Sequence, residues 1–266
     1  MISLFQEIAA IYQRRELLWQ MVAREVKARY KQSILGYFWV ILNPLAQMLV
    51  MSFAFSVILR IPTFAADNIP YSIFLFVALL PWNLFVNSLS SAASSLVSSG
   101  SLITKIYFPR TILVISTIFA KVIDFVFAIS ILVIYMIIYQ LPVTWNILWV
   151  IPIFIIQQIF TLGLSFFFSA ANLLYRDIQY LLSMILLLWM YATPVIYSAD
   201  MVPDKYRLLF QINPMAVFIN AYRQTVLGGG TPKYSSLIIG FIVSLITLFF
   251  GFAYFKSREK IFADNI

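Results

Sequence analysis

From residue 4 to residue 31, apolar residues return every three or four positions. Leu4, Phe5, Ile8, Ile11 and Tyr12 share one helical face, and Leu18, Val22, Val26 and Tyr30 continue a similar stripe. Charged residues fall mostly between them. This two-sided character predicts a helix lying in a membrane interface rather than crossing it. From Ile34 the charges stop, and the next is Arg60. The apolar run over residues 36–59 extends about 36 Å as a helix, enough for a hydrocarbon core of about 30 Å. Further runs over 69–92, 111–139, 147–172, 180–197 and 235–255 predict five more spans. The second holds Pro81, with Trp82 and Asn83 beside the expected kink. The third is long for a bilayer and is expected to tilt or protrude.

The expected fold class is therefore all-α integral membrane. A cytoplasmic amphipathic segment, 1–35, precedes a six-span transmembrane domain, 36–266. Residues 93–110 open with a Ser-rich stretch and predict a cytoplasmic loop. Residues 198–234 have broken apolar character and contain QINP and LGGGTP. Met201 to Leu209 and Pro214 to Leu227 can each form a short helix, too short to span. Re-entrant half-helices that dip back from the outer face are the simplest fit, because irregular backbone at depth needs protein or a water-filled cavity around it, and a plain extracytoplasmic loop is the alternative.

Composition supports this picture. Only 11% of the 266 residues are charged and 62% are hydrophobic, against about 25% charged in soluble domains. The net charge of +8 would suggest nucleic acid in a soluble protein. Here the basic residues sit beside the spans, so a membrane face is the better reading and no nucleic-acid partner is expected. With six spans, twelve Lys and Arg lie on the side of the termini and five on the other. The positive-inside rule makes both termini cytoplasmic, in a multi-pass protein of the cytoplasmic (inner) membrane. With no Cys and no His, thiol chemistry, disulfides and the usual zinc ligands are excluded.

Candidate chemistry is sparse. No GxxxxGK[ST] and no GxSxG occurs, so neither a nucleotide-binding P-loop nor a hydrolase elbow is present, and no catalytic residue is assigned. Lys121 and Asp124 lie three apart within the third span and are expected to pair. The alternative makes Asp124 the relay of a proton-coupled carrier. Asn43 and Gln47 lie four apart in the first span, with Gly36, Val40 and Ala54 extending that face. Such a stripe packs on another helix or lines a wet path. Thr161, Ser165 and Ser169, with Gly163, form a small-residue packing face. Among the many aromatics, Tyr37, Trp39, Trp189, Tyr191 and Tyr197 are candidates to stack on sugar rings.

At this point the residues resemble a known family. RELLWQMVAREVKARYKQSILGYFWVILNP, residues 15–44, is similar to the N-terminal signature of the membrane subunits of bacterial ATP-binding-cassette polysaccharide exporters. LITKIYFPR (102–110), YRDIQ (175–179), INPMAVFINAYR (212–223) and FKSREKIFAD (255–264) resemble its later landmarks, in order. A departure lies at Ile112 to Ile115, where relatives often carry another proline.

The resemblance implies a homodimer of permease subunits bound to two copies of a separate ATPase, which holds the ATP and Mg. No cofactor is expected in this chain. The implied substrate is a lipid-linked polysaccharide of O-antigen, capsule or teichoic acid type. The first and fifth spans would line the channel, with Tyr37, Trp39, Asn43, Gln47, Trp189, Tyr191 and Tyr197 as candidates. Ser101, Leu102, Lys105, Tyr107 and Phe108 would couple to the ATPase. Asn213, Pro214, Tyr222 and Arg223 would belong to the outer gate. A permease of similar fold exporting a drug or small lipid is the nearest rival.

Overall fold

A computed structural model describes residues 4–31, 33–60, 69–105, 108–141, 143–206, 210 and 212–262. Among these, every regular element is helical. The amphipathic segment is two helices, α1 (Leu4–Gln13) and α2 (Arg15–Tyr30), which meet at Arg14. A 3-10 turn, Gly36–Phe38, leads into α3 (Trp39–Ser52), which continues as a π-helical stretch, Phe53–Ile58. Gly36 has φ +51°, the left-handed region that glycine enters without a Cβ penalty. It turns the chain from the interface helix into the first apolar run.

Then come α4 (Tyr71–Ser98), the short α5 (Gly100–Lys105), α6 (Thr111–Ile138) and α7 (Val150–Leu174). They are followed by α8 (Ile178–Tyr191), α9 (Pro214–Val226) and α10 (Tyr234–Arg258).

Among the described residues, five helices are long and apolar enough to cross a membrane: Gly36–Ile58, Tyr71–Ser98, Thr111–Ile138, Trp145–Leu174 and Tyr234–Ile261. The sixth candidate, expected over 180–197, is helical only over 14 residues, Ile178–Tyr191. That is about 21 Å, short of a core of about 30 Å. Pro194 has no N–H to continue the ladder, and residues 192–197 turn instead. Conversely, α4 runs through the Ser-rich stretch to Ser98. There Ser94, Ser95 and Ser98 donate their hydroxyls to carbonyls three or four residues back, so the helix absorbs its own polar groups.

α4 is the hub: 78% of its apolar window is buried, against 6% for Gly36–Ile58. It packs on α6, α7, α9 and α3. α7 and α10 approach backbone to backbone at Gly163 and Gly251. A Cβ on Gly251 would lie 1.9 Å from the Gly163 carbonyl oxygen. Thr161, Ser165 and Ser169 are all buried on this helix, as the small-residue pattern predicts.

A second core lies at the basic end of the bundle. Ile103, Phe108, Ile112, Phe166, Phe255 and Phe262 are buried there, with Ile11, Leu18 and Met21 of α1 and α2 packed against them.

Candidate functional site

Three sets of polar groups interrupt the apolar bundle. The first lies where α2 meets α3. α2 runs along the first half of α6: the ring of Trp19 is 6.0 Å from that of Phe119, and Arg29 donates from Nη1 to Oδ2 of Asp124. Tyr37 donates to the other carboxylate oxygen at 3.3 Å, and its ring sits edge-on to Phe127 at 5.0 Å.

The expected Lys121–Asp124 pair is therefore not formed. The reason is geometric: the sequence shows which charges share a face of α6, but not that α2 brings a guanidinium to the same place. Arg29 reaches both the charge and the hydrogen-bonding capacity of Asp124. Lys121 and Asp124 do line one pocket of about 350 Å³, together with Trp39, Asn43, Gln47, Asn83 and Asn87. Gln47 is half-buried and accepts from Asn83 Nδ2 at 2.8 Å. Asn43 is exposed, and Trp39 is 40% exposed.

The second set ties α8 to α9. Asn213 caps α9: its Oδ1 accepts from the backbone N–H of Met215 at 3.1 Å and of Ala216 at 3.4 Å, and Pro214 occupies the first helical turn, where a missing N–H costs nothing. Oδ1 also accepts from Trp189 Nε1 at 3.0 Å. Nδ2 donates to the Ala192 carbonyl at 3.1 Å and to Thr193 Oγ1 at 2.9 Å. Trp189 thus points into the bundle, edge-on to Phe85 at 5.4 Å. Tyr191 is 59% exposed. Tyr197 donates to the Tyr191 carbonyl at 2.9 Å.

Arg223, 8% exposed, is the centre of this set. Its guanidinium donates to the carbonyls of Pro194 at 2.6 Å, Val195 at 2.6 Å, Tyr197 at 3.1 Å and Phe74 at 3.4 Å. It also lies 3.7 Å over the Phe74 ring. The irregular turn after α8 has carbonyls that no helix satisfies, and Arg223 supplies a five-donor fork to them. Tyr222 donates to Gln157 Oε1 at 3.0 Å, and Gln157 donates to the Pro81 carbonyl at 2.8 Å, so α9 is hydrogen-bonded through α7 to the middle of α4.

The third set is at the basic end. Of the predicted coupling residues, Ser101 and Lys105 are exposed and Leu102 is half-buried, while Phe108 is 6% exposed, within the second core. Tyr107 lies outside the described residues. Beside them is a group that sequence reasoning passed over. Glu7, 5% exposed, pairs with Lys256 at 2.8 Å and accepts from Thr111 Oγ1 at 2.7 Å. Lys256 also meets Glu259 at 2.8 Å, and Arg110 donates to the Glu259 carbonyl. Three distant segments meet here. The signal was present: Glu7 falls at helical spacing between Leu4 and Ile11, on the apolar face.

Long apolar helices with hydrogen-bonded polar sets between them define a multi-pass helical membrane protein. The chain belongs to the ABC-2 type transporter family, whose membrane-subunit pattern it matches over residues 16–227. It is 34% identical over 269 residues to the O-antigen export system permease protein RfbA of Myxococcus xanthus, with 100% of each chain covered. It is 32% identical over 251 residues to the protein of the same name from Klebsiella pneumoniae, with 94% of each covered. To the polysialic acid transport protein KpsM of Escherichia coli it is 22% identical over 251 residues, covering 89% of this chain and 91% of that one.

Proposed function

We propose that this chain is the permease subunit of an ATP-driven exporter that moves a lipid-linked polysaccharide across the cytoplasmic membrane. The observation that carries this reading is the end-to-end similarity to an O-antigen export permease, at 34% identity with neither chain left uncovered. ATP and Mg would be bound by a separate ATP-binding-cassette partner, in keeping with a sequence that has no P-loop of its own.

The working unit in this reading is a homodimer with two such partners. Only 6% of the apolar window of Gly36–Ile58 is fully buried within one subunit, and α8 exposes Tyr180, Met184, Leu187, Leu188 and Tyr191. Those two surfaces would face the second copy and the channel, with Trp39, Asn43 and Tyr191 available to a glycan. The exposed residues Ser101 and Lys105 would meet the ATPase on the cytoplasmic side. α8, the turn after it and α9 would form a composite fifth crossing and outer gate. The basic excess near the termini supports a cytoplasmic N-terminus and C-terminus.

A proton-coupled carrier working through Asp124 fits less well, because Arg29 and Tyr37 already engage both of its oxygens. Export of a drug or small lipid is disfavoured by the polysaccharide names of the relatives. Co-purification with the ATP-binding-cassette subunit encoded nearby separates these readings. A stable complex whose ATPase activity falls on Lys105→Glu supports the exporter. Absence of any ATPase, with transport abolished by Asp124→Asn, supports the carrier.

A further inference from the structure

The pocket between α2, α3, α4 and α6 holds polar groups that the protein leaves unmatched. Each carboxylate near Lys121 already has an arginine: Asp124 pairs with Arg29, and Glu25 with Arg24 at 3.1 Å. Asn83 Nδ2 donates to Gln47 Oε1. Among the described residues, Lys121 makes no ion pair, and the amides of Asn43 and Asn87 make no hydrogen bond to protein. All three line the same pocket. The pocket thus holds an ammonium without an ion pair beside the open amides of Asn43 and Asn87.

Depth says what kind of molecule can reach it. The charged length of α2 ends at this level, with Arg29 beside Asp124, and the apolar run of α3 begins. That is the boundary between headgroups and acyl chains for an interface helix. Further along the chain from the lining residues of α3, Leu49, Val50 and Phe53 present an exposed apolar surface. A volume of about 350 Å³ admits a headgroup and excludes a polymer.

We propose that this pocket holds the phosphate group of a lipid in the adjoining leaflet, with Lys121 facing its charge and the amides of Asn43 and Asn87 donating to its oxygens. An ammonium has three donors and each amide two, against the several acceptor oxygens of a phosphate. A phospholipid and the carrier lipid of an exported glycan share this chemistry. Choosing the carrier as occupant rests on the exporter reading; the phosphate site does not.

The test uses the full chain in detergent and measures lipid binding by native mass spectrometry. The probes are polyprenyl phosphate, phosphatidylglycerol and, as uncharged control, polyprenol. Lys121→Gln is expected to weaken phosphate-lipid binding about five- to tenfold, while Lys121→Arg stays near wild type and polyprenol is indifferent. Asn87→Ala, at an exposed position, is expected to weaken it in the same direction in a protein whose packing is untouched. Loss for polyprenyl phosphate alone makes the carrier the occupant; loss for both lipids makes it any lipid phosphate. Binding unchanged in both Lys121→Gln and Asn87→Ala, or equal binding of polyprenol, overturns the proposal. Unaltered surface glycan in cells lacking the chain overturns the exporter reading alone and leaves this result standing.

Discussion

Arg223 illustrates how a charge can live inside an apolar bundle. Four carbonyls and one aromatic face take the place of water around it. Arg223→Met leaves those carbonyls without a donor. The expected cost is about 3 kcal/mol, read as a lower melting temperature of the purified protein. Arg223→Lys restores the charge but not the fork, so it recovers only part of the loss. At the other end, Glu7→Ala strands Thr111 and leaves Lys256 with Glu259 alone. It is expected to cost about 1–3 kcal/mol, less than a fully orphaned buried charge, and the same melting measurement checks it. Phe108 is a packing residue of the second core, so its truncation is expected to destabilise by about 3 kcal/mol. Lys105 is the cleaner probe of coupling, because its side chain is exposed. Which residue types carry the polar sets was legible in the sequence: Asn43, Gln47, Asn213, Tyr222 and Arg223 all stood out. Their partners were not. The pairs Arg29–Asp124 and Glu7–Lys256 join segments far apart in the chain, and helical periodicity reports only neighbours three or four residues away.

The elements show the same division. Long apolar runs predicted the positions of the long helices, because lipid forces backbone groups to be satisfied internally. The Ser-rich end of α4 was read as loop, since polarity was counted without the hydroxyl-to-carbonyl bonds that make Ser tolerable in a helix. α8 ends ahead of a single proline: Thr193, Tyr197 and Asn213 take the carbonyls of its last residues, and Arg223 takes those of the turn beyond. The small-residue pattern of α7 pointed to close packing but not to its partner, which is α10. Gly251→Leu is expected to force α7 and α10 apart, since even a Cβ there meets the Gly163 carbonyl. Overpacking of this kind costs about 1–3 kcal/mol or more, and detergent-extracted protein is expected to elute as aggregate rather than as a single species.

For the molecule as a whole, the exposed face of Gly36–Ile58 and the open face of α8 are the features that one subunit does not explain by itself. In the exporter reading they are where two subunits enclose a path, and the α2–α3 junction is where a substrate would enter it. The polar ties from α4 through Gln157 to Tyr222 make α9 and the turn before it a connected unit with the bundle. Such a unit can shift between two arrangements when partners at the basic end change state. The most direct test is to deplete this chain in its own bacterium and follow lipid-linked polysaccharide on both sides of the cytoplasmic membrane. The account predicts that completed glycan accumulates inside, and that the wild-type chain restores it to the surface only alongside an ATPase able to hydrolyse ATP. Glycan that reaches the surface unchanged, or rescue that persists with an inactive ATPase, contradicts it.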